Sequence, residues 1–369
     1  MTESVVNVGT YTLISHEQVE TSLQGAIAYR VLYRSYDVRG IATTCSGLVI
    51  APATPGTDRK VFTWTHGTTG LGDAACPSAA PDPASELKTY FQSGQTTQYD
   101  YGIPGLQSFI DDDWVVVATD YQGLGTPGQH HYLINRTNAL DGINIAKAAR
   151  ELPVGAGTKV ACAGWSQGGG TAAAIAELDA EDYGELTLVG TAPMSPAVPT
   201  MVFQHPTGMG AALAGGDSAP DGHLVMNLCS LPAAFPDQLE LSDVFTPLGI
   251  RIIQENWNTV PVHHFSDLIA RAFLHEGPIL EINQQKLPVW TQAIAECSAG
   301  KVKPICPVHV FIDSQHGGTV VPVIWQTGYI EVIEKLGGSI VSTVCPNDDH
   351  FSLPQSVIGQ AKTWLESLF

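Results

Sequence analysis

Positive charge is scarce in this 369-residue chain: Lys and Arg total 17 against 36 Asp and Glu, a formal net charge of −19. Such a field repels nucleic acid and anionic membrane surfaces, both of which bind through clustered cations. Neutral or cationic ligands are the easier partners, and no evident clamp exists for a phosphate or a multiply anionic substrate. Charged residues of either sign make up only 14% of the chain and hydrophobic ones 44%, which excludes a disordered polymer. No apolar run approaches the roughly 18 residues needed to cross a bilayer, so no transmembrane segment is expected. Residues Met1 to Leu13 lack the basic start and apolar stretch of a signal peptide, as in a cytoplasmic chain or an exported one whose leader has been removed. The seven cysteines include no CxxC pair, which argues against a zinc site and a redox dithiol. Their odd number leaves at least one thiol free. The others fit either reduced core thiols or one or two disulfides around Cys229, Cys297 and Cys306.

What is present is an alternation of strands and helices, the α/β pattern. At about 100–200 residues per domain the length suggests two or three units. Gly47 to Ile50, Val61 to Trp64 and Trp114 to Thr119 read as strands, the last as a fully buried one. A helix from Asn138 to Arg150, with Leu140, Ile143, Ala146 and Ala149 on one face, leads into the strand Val160 to Ala163. After another strand, Leu186 to Ala192, the rhythm stops, and Pro196 to Pro304 reads as mainly helical with many Pro and Gly breaks. It resumes with the strand Val308 to Ile312, a helix Ile324 to Leu336, the strand Ser339 to Val344 and a final helix. The expected organisation is an N-terminal extension over residues 1–35, a core over 36–195 and 306–369, and an inserted helical cap over 196–305. Apolar runs in the cap, such as Leu224-Val225-Met226 and Ile252-Ile253, fit either the cap's own core or the wall of an acyl tunnel.

The strongest local signal is Gly164-Trp165-Ser166-Gln167-Gly168, a G-x-S-x-G that follows a strand and opens a helix. A serine in that turn is held in a strained, exposed conformation, and the flanking glycines approach each other too closely for side chains. Ser166 is therefore the candidate nucleophile. A serine hydroxyl needs a base and donors for the oxyanion formed on attack. His350, late in the chain between the last strand and the final helix, suits the base in Ser…acid…His order. The oxyanion donors are expected to be the main-chain amides of Gln167 and of Thr68, the latter in the loop His66-Gly67-Thr68-Thr69-Gly70 that leaves an early strand.

These segments, with Asp120-Tyr121-Gln122-Gly123-Leu124-Gly125 and Asp349-His350-Phe351, resemble the secretory lipase family of α/β-hydrolase fold serine esterases, which includes the Candida lipase A type and bacterial relatives. The resemblance spans most of the chain. It implies an α/β-hydrolase fold, a mostly parallel sheet with an inserted helical cap, and hydrolysis of carboxylic esters through an acyl-enzyme. It also implies a triad acid four residues before the proline of a V-x-P turn, but Gly318 stands at that place before Val320-Val321-Pro322. The nearest acid is Asp313, at the end of the strand Val308 to Ile312, and it is the candidate for the third member. Asp348 and Asp349 sit too close in sequence to His350 to orient its ring.

The Gly123-to-Gly128 run matches G-x-G-x-x-G, yet no helix opens behind it to offer its N-terminus to a pyrophosphate. That loop is expected to shape the site wall, with Asp120 or Tyr121 pinning the oxyanion loop. The adjacent pairs His130-His131 and His263-His264 cannot both face one metal and are expected on loops or on the cap surface. No metal or organic cofactor is implied. The reading is thus a serine carboxylesterase or lipase acting on a small-molecule or lipid ester. Its rivals are an acyltransferase of the same fold and a ligand-binding pseudo-hydrolase without a competent acid.

Overall fold

The computed structural model describes residues 12–204, 219–318 and 320–369. The expected N-terminal extension and cap therefore each fall partly outside the described residues. The described residues form a nine-stranded sheet in the order β1-β2-β3-β5-β4-β6-β7-β8-β9. The strands are β1 (Leu13–Val19), β2 (Ala26–Tyr36), β3 (Ala42–Pro52), β4 (Arg59–Thr65), β5 (Val115–Thr119), β6 (Ala156–Trp165), β7 (Thr187–Met194), β8 (Val308–Asp313) and β9 (Ile340–Cys345). From β5 through β9 all neighbours are parallel, and β1, β2 and β3 join as antiparallel ribbons on one side. This is the mixed, mainly parallel sheet of an α/β-hydrolase.

Residues 13–35 are not an extension beside the core. They supply β1 and most of β2, whose full length pairs with β3 from Ala26↔Pro52 to Tyr36↔Ala42. The reason is visible in β2, where Ala28, Val31, Tyr33 and Ser35 are buried while their neighbours are partly exposed. The intervening Arg30 and Arg34 break up the continuous apolar run seen in a central strand. By contrast β5 reads Val-Val-Val-Ala-Thr and is buried on both faces.

One face of the sheet is covered by the helices Asn135–Ala149, Gln167–Ile175 and Val323–Lys335, the other by Leu106–Asp111 and Leu353–Glu366. The helix Asn135–Ala149 is buried almost all round rather than along one stripe. Two of its buried polar residues are tied to the surrounding chain: Asn138 donates to the His131 carbonyl at 3.1 Å and Asn144 to Ser35 Oγ at 3.3 Å. Between β7 and β8 lie the helices Pro199–Gln204, Gly222–Ala234, Pro247–Asn256, Val262–Glu276 and Leu287–Cys297. Leu224, Val225, Met226, Ile252 and Ile253 are buried there in a separate apolar cluster, shared with Leu71, Tyr99 and Tyr132 from the sheet's loops. All seven cysteines are free and buried, so the disulfide alternative does not hold. Among the described residues no helix is long and apolar enough to cross a membrane.

Candidate active site

Because β4, β6, β7, β8 and β9 are parallel, their C-terminal ends open on one edge of the sheet, where ligands bind in folds of this kind. The loop from His66 leaves β4, Ser166 leaves β6, Ser195 leaves β7, Asp313 ends β8, and His350 follows β9. Residues far apart in sequence are thereby gathered at one edge.

Ser166 has φ 59° and ψ −118°, a conformation L-residues adopt only under constraint. Its amide donates to the Met194 carbonyl at 3.0 Å, and its own carbonyl accepts from Gly170 and Ala197. The two flanking glycines are required sterically. A Cβ on Gly164 would meet the Thr65 hydroxyl and the Gly168 carbonyl, and one on Gly168 would meet the Thr65 carbonyl. Thr65 closes the turn by donating from Oγ1 to the Gly168 carbonyl at 2.8 Å. Among the described residues Ser166 Oγ makes no hydrogen bond.

His350 is 2% exposed, packed against Trp165 with ring centroids 5.2 Å apart. Its Nδ1 faces two groups: Ser195 Oγ at 3.0 Å and Asp313 Oδ2 at 3.7 Å. The second distance is beyond a hydrogen bond. Asp313 is fully buried, and its Oδ1 accepts from Gln326 Nε2 at 2.7 Å. Its Oδ2 has no hydrogen-bond partner among the described residues, so the free lone pairs of this carboxylate point at the His350 ring. Gln326 also donates to the Val321 carbonyl at 2.7 Å, tying Asp313 to the Val320-Val321-Pro322 turn. Gly318, at φ 76°, takes a left-handed conformation in that connection that suits glycine.

The amides of Thr68 and Gln167 make no hydrogen bond among the described residues; Gln167 is the first residue of its helix, so its N–H has no intrahelical acceptor. Gly67 lets the loop cross the Trp165 ring, which a Cβ there would touch at 2.8 Å. The loop is pinned as anticipated: Tyr121 OH donates to the His66 carbonyl at 3.0 Å. Asp120 stands behind it, accepting from Ser46 Oγ at 2.7 Å, Ser78 N at 2.8 Å and Ser78 Oγ at 2.6 Å.

Three groups escaped the sequence. Ser195, with φ 46°, and Gln326 reach the site only through the sheet's topology, and no motif marks them. His130 is the third. It and His131 do not lie on the surface: they are 0% and 5% exposed, because the Gly123-to-Gly128 loop turns back and carries them under the helix Gly222–Ala234. His263 and His264 lie on the helix Val262–Glu276 of the expected cap, where His264 is exposed, as the cap-surface alternative has it, and His263 is half-buried, stacked on Tyr90 with centroids 4.0 Å apart. Among the described residues no group of three or more His, Cys, Asp or Glu could hold a metal ion.

Burial pushes His131 down to about 4 and His130 down to about 3, so both are neutral in the folded chain near pH 6. The unfolded chain takes up their protons as pH falls through about 6.5, and the folded chain does not until about 4 and about 3. Their stabilising contribution is therefore complete above about pH 6.5 and lost as pH falls through that window. Replacing His131 by Asn is expected to shrink the stability difference between pH 7 and pH 5 by about 2 kcal/mol in urea unfolding. An unchanged difference would mean that His131 is charged in the folded state.

The sheet order, the strained strand-to-helix turn and the loops on one sheet edge define the class as an α/β-hydrolase. The secretory lipase family model matches residues 87–207, a stretch that includes the Ser166 turn. The chain thus resembles secretory lipases in the segment that its own motifs singled out, and the match supports a carboxylic-ester hydrolase. No curated protein matches. Among solved structures, the rice cell wall degrading esterase LipA of Xanthomonas oryzae is 17% identical with a TM-score of 0.69, over 97% of this chain and 99% of that one. Candida antarctica lipase A in its closed state is 18% identical with a TM-score of 0.66, over 97% of this chain and 82% of that one. A Legionella pneumophila protein described as a putative hydrolase is 16% identical with a TM-score of 0.65, over 96% and 98%. At these identities the likeness speaks for the fold.

Proposed function

We propose that the chain is a serine carboxylesterase or lipase that hydrolyses neutral carboxylic esters through an acyl-enzyme. The observation that carries this reading is Ser166 at φ 59° in the turn between β6 and its helix, with the main-chain amides of Thr68 and Gln167 making no hydrogen bond among the described residues. Ser166 Oγ attacks the ester carbonyl as His350 Nε2 takes its proton. The Thr68 and Gln167 amides donate to the carbonyl oxygen as it becomes an oxyanion. His350 then passes the proton to the departing alkoxide, and water, deprotonated by the same ring, attacks the acyl-enzyme and restores Ser166. Asp313 Oδ2 stabilises the imidazolium and fixes its tautomer once Nδ1–H swings from Ser195 to the carboxylate.

Residues 196–305 serve as the cap in this reading. Its support is direct contact with the oxyanion loop: Val262 N donates to the Thr69 carbonyl at 2.8 Å, and Asp73 N to Asn258 Oδ1 at 2.7 Å. Ser166 is 7% exposed, which shields the nucleophile from bulk water. The scarcity of cations favours uncharged substrates, either soluble esters or lipid esters.

The test is incubation with a fluorophosphonate probe followed by peptide mass spectrometry, alongside hydrolysis of p-nitrophenyl esters from acetate to palmitate. Labelling at Ser166 with turnover that disappears in Ser166→Ala is expected, and the chain-length profile then separates esterase from lipase. No labelling and no turnover above that variant would overturn the reading and leave a ligand-binding protein on this scaffold.

A further inference from the structure

The segment 129–132 is not needed for any step of the proposed reaction, yet it touches both residues whose amides would hold the oxyanion. His130 Nδ1 lies 2.9 Å from the Gln122 carbonyl, which can only accept, so Nδ1 carries the proton and Nε2 is the acceptor. At 2.7 Å from Nε2 is Gln167 Nε2, which donates to it. The ring stacks on Tyr121 at 14° with centroids 5.4 Å apart, and Tyr121 in turn holds the His66 carbonyl. Tyr132 OH lies 3.0 Å from Thr68 Oγ1. Between them, His130 and Tyr132 grip one donor residue each.

The other side of the same segment is tied to the helix Gly222–Ala234. Gln129 Nε2 donates to the Cys229 carbonyl at 3.3 Å, and Asn227 Nδ2 to the Tyr132 carbonyl at 3.2 Å. Ser230 Oγ lies 3.1 Å from the His130 carbonyl and accepts from Tyr132 N at 3.2 Å. His130, Tyr132, Asn227 and Ser230 are buried and Gln129 half-buried, so breaking the bonds of the buried groups leaves polar atoms without water, and the segment behaves as a unit with two anchored sides.

We propose that residues 129–132 form a strap that sets the spacing of the Thr68 and Gln167 amides and couples it to the position of the helix Gly222–Ala234, with His130 and Tyr132 as positioning residues. The inference rests on the esterase reading and deepens it. The strap acts on the transition state more than on the bound ester, because the amides meet their full charge only when the oxyanion forms. The helix Gly222–Ala234 is thereby linked, through the strap, to the two donor residues.

The test uses the full chain with p-nitrophenyl butyrate and an alkyl trifluoromethyl ketone, whose adduct with Ser166 places an oxyanion in the same hole. Tyr132→Phe is expected to lower kcat by about 10- to 100-fold. KM should change by less than about twofold, and the ketone's affinity should fall in parallel with kcat/KM. Ser230→Ala should give a smaller fall of the same kind. The double variant should be no worse than Tyr132→Phe alone, since both act through one strap. If Tyr132→Phe does not fold, Thr68→Val removes the same hydrogen bond while keeping the main-chain amide. An unchanged kcat, a fall in kcat without the matching loss of ketone affinity, or additive effects in the double variant would overturn the proposal. Fluorophosphonate labelling of Ser166 in the unsubstituted chain keeps the two readings apart. A chain that labels while its variants keep kcat loses only the strap, and a chain that does not label loses the esterase reading itself.

Discussion

Ser166→Ala is expected to lower kcat for ester hydrolysis by about 10⁶-fold, the scale seen when a triad serine is removed from another serine hydrolase. Stability should hardly change. Ser166 Oγ makes no hydrogen bond among the described residues, so its loss leaves no buried partner unsatisfied. The backbone bonds of the turn, from Ser166 N to Met194 and from Gly170 and Ala197 to the Ser166 carbonyl, do not depend on the side chain. A second substitution sharpens the point. At φ 59° a residue with a Cβ is strained, so Ser166→Gly should be as inactive as the alanine variant yet more stable than the unsubstituted chain by about 1 kcal/mol. The measurement is thermal unfolding of the three proteins beside their turnover of p-nitrophenyl butyrate. Residual activity above about 1% in Ser166→Ala would move the nucleophile elsewhere.

That turn was legible because its requirements are local. Two glycines bracket a serine, a strand runs in and a helix runs out, and the steric reason lies within five consecutive positions, Gly164 to Gly168. The same holds for the buried strand β5 and for Tyr121, which stands two residues after that strand and reaches the His66 carbonyl. His350 was accessible from its place between a strand and a helix. Strands β1 and β2 were missed because their solvent-facing positions carry Arg30, Arg34 and other polar residues, which hides the pairing with β3. Ser195, Gln326 and His130 were out of reach for a different reason. Ser195 meets His350 across 155 positions of sequence, through the order β7-β8-β9 in the sheet, and Gln167 meets His130 across 37. Neither contact has a spacing rule. His130 and His131 lie in a loop, as their place near glycines suggests, but nothing local shows that this loop folds inward and that His130 stays neutral by burial.

Asp313→Asn is expected to lower kcat by about 10⁴-fold, and the neighbours of this side chain explain why an isosteric change should cost so much. Gln326 Nε2 lies 2.7 Å from both Asp313 Oδ1 and the Val321 carbonyl, two acceptors, so its amide cannot turn round without losing both bonds. An asparagine at position 313 must therefore present its carbonyl to Gln326 and its NH₂ to His350. Facing a donor, His350 Nδ1 becomes an acceptor and the ring proton moves to Nε2, where it blocks the transfer from Ser166. The expected signature is a fall in kcat with KM nearly unchanged and an intact fold. Ser195 supplies the contrast. Its Oγ, 3.0 Å from Nδ1, is closer than the carboxylate at 3.7 Å, but a neutral hydroxyl cannot offset the charge of an imidazolium. Ser195→Ala should accordingly cost far less than Asp313→Asn, and it should free Nδ1–H to bond Asp313 alone. A loss under about tenfold in Asp313→Asn, with a larger one in Ser195→Ala, would reverse these roles. The ring would then be oriented by a hydroxyl, and Asp313 would be a structural partner of Gln326.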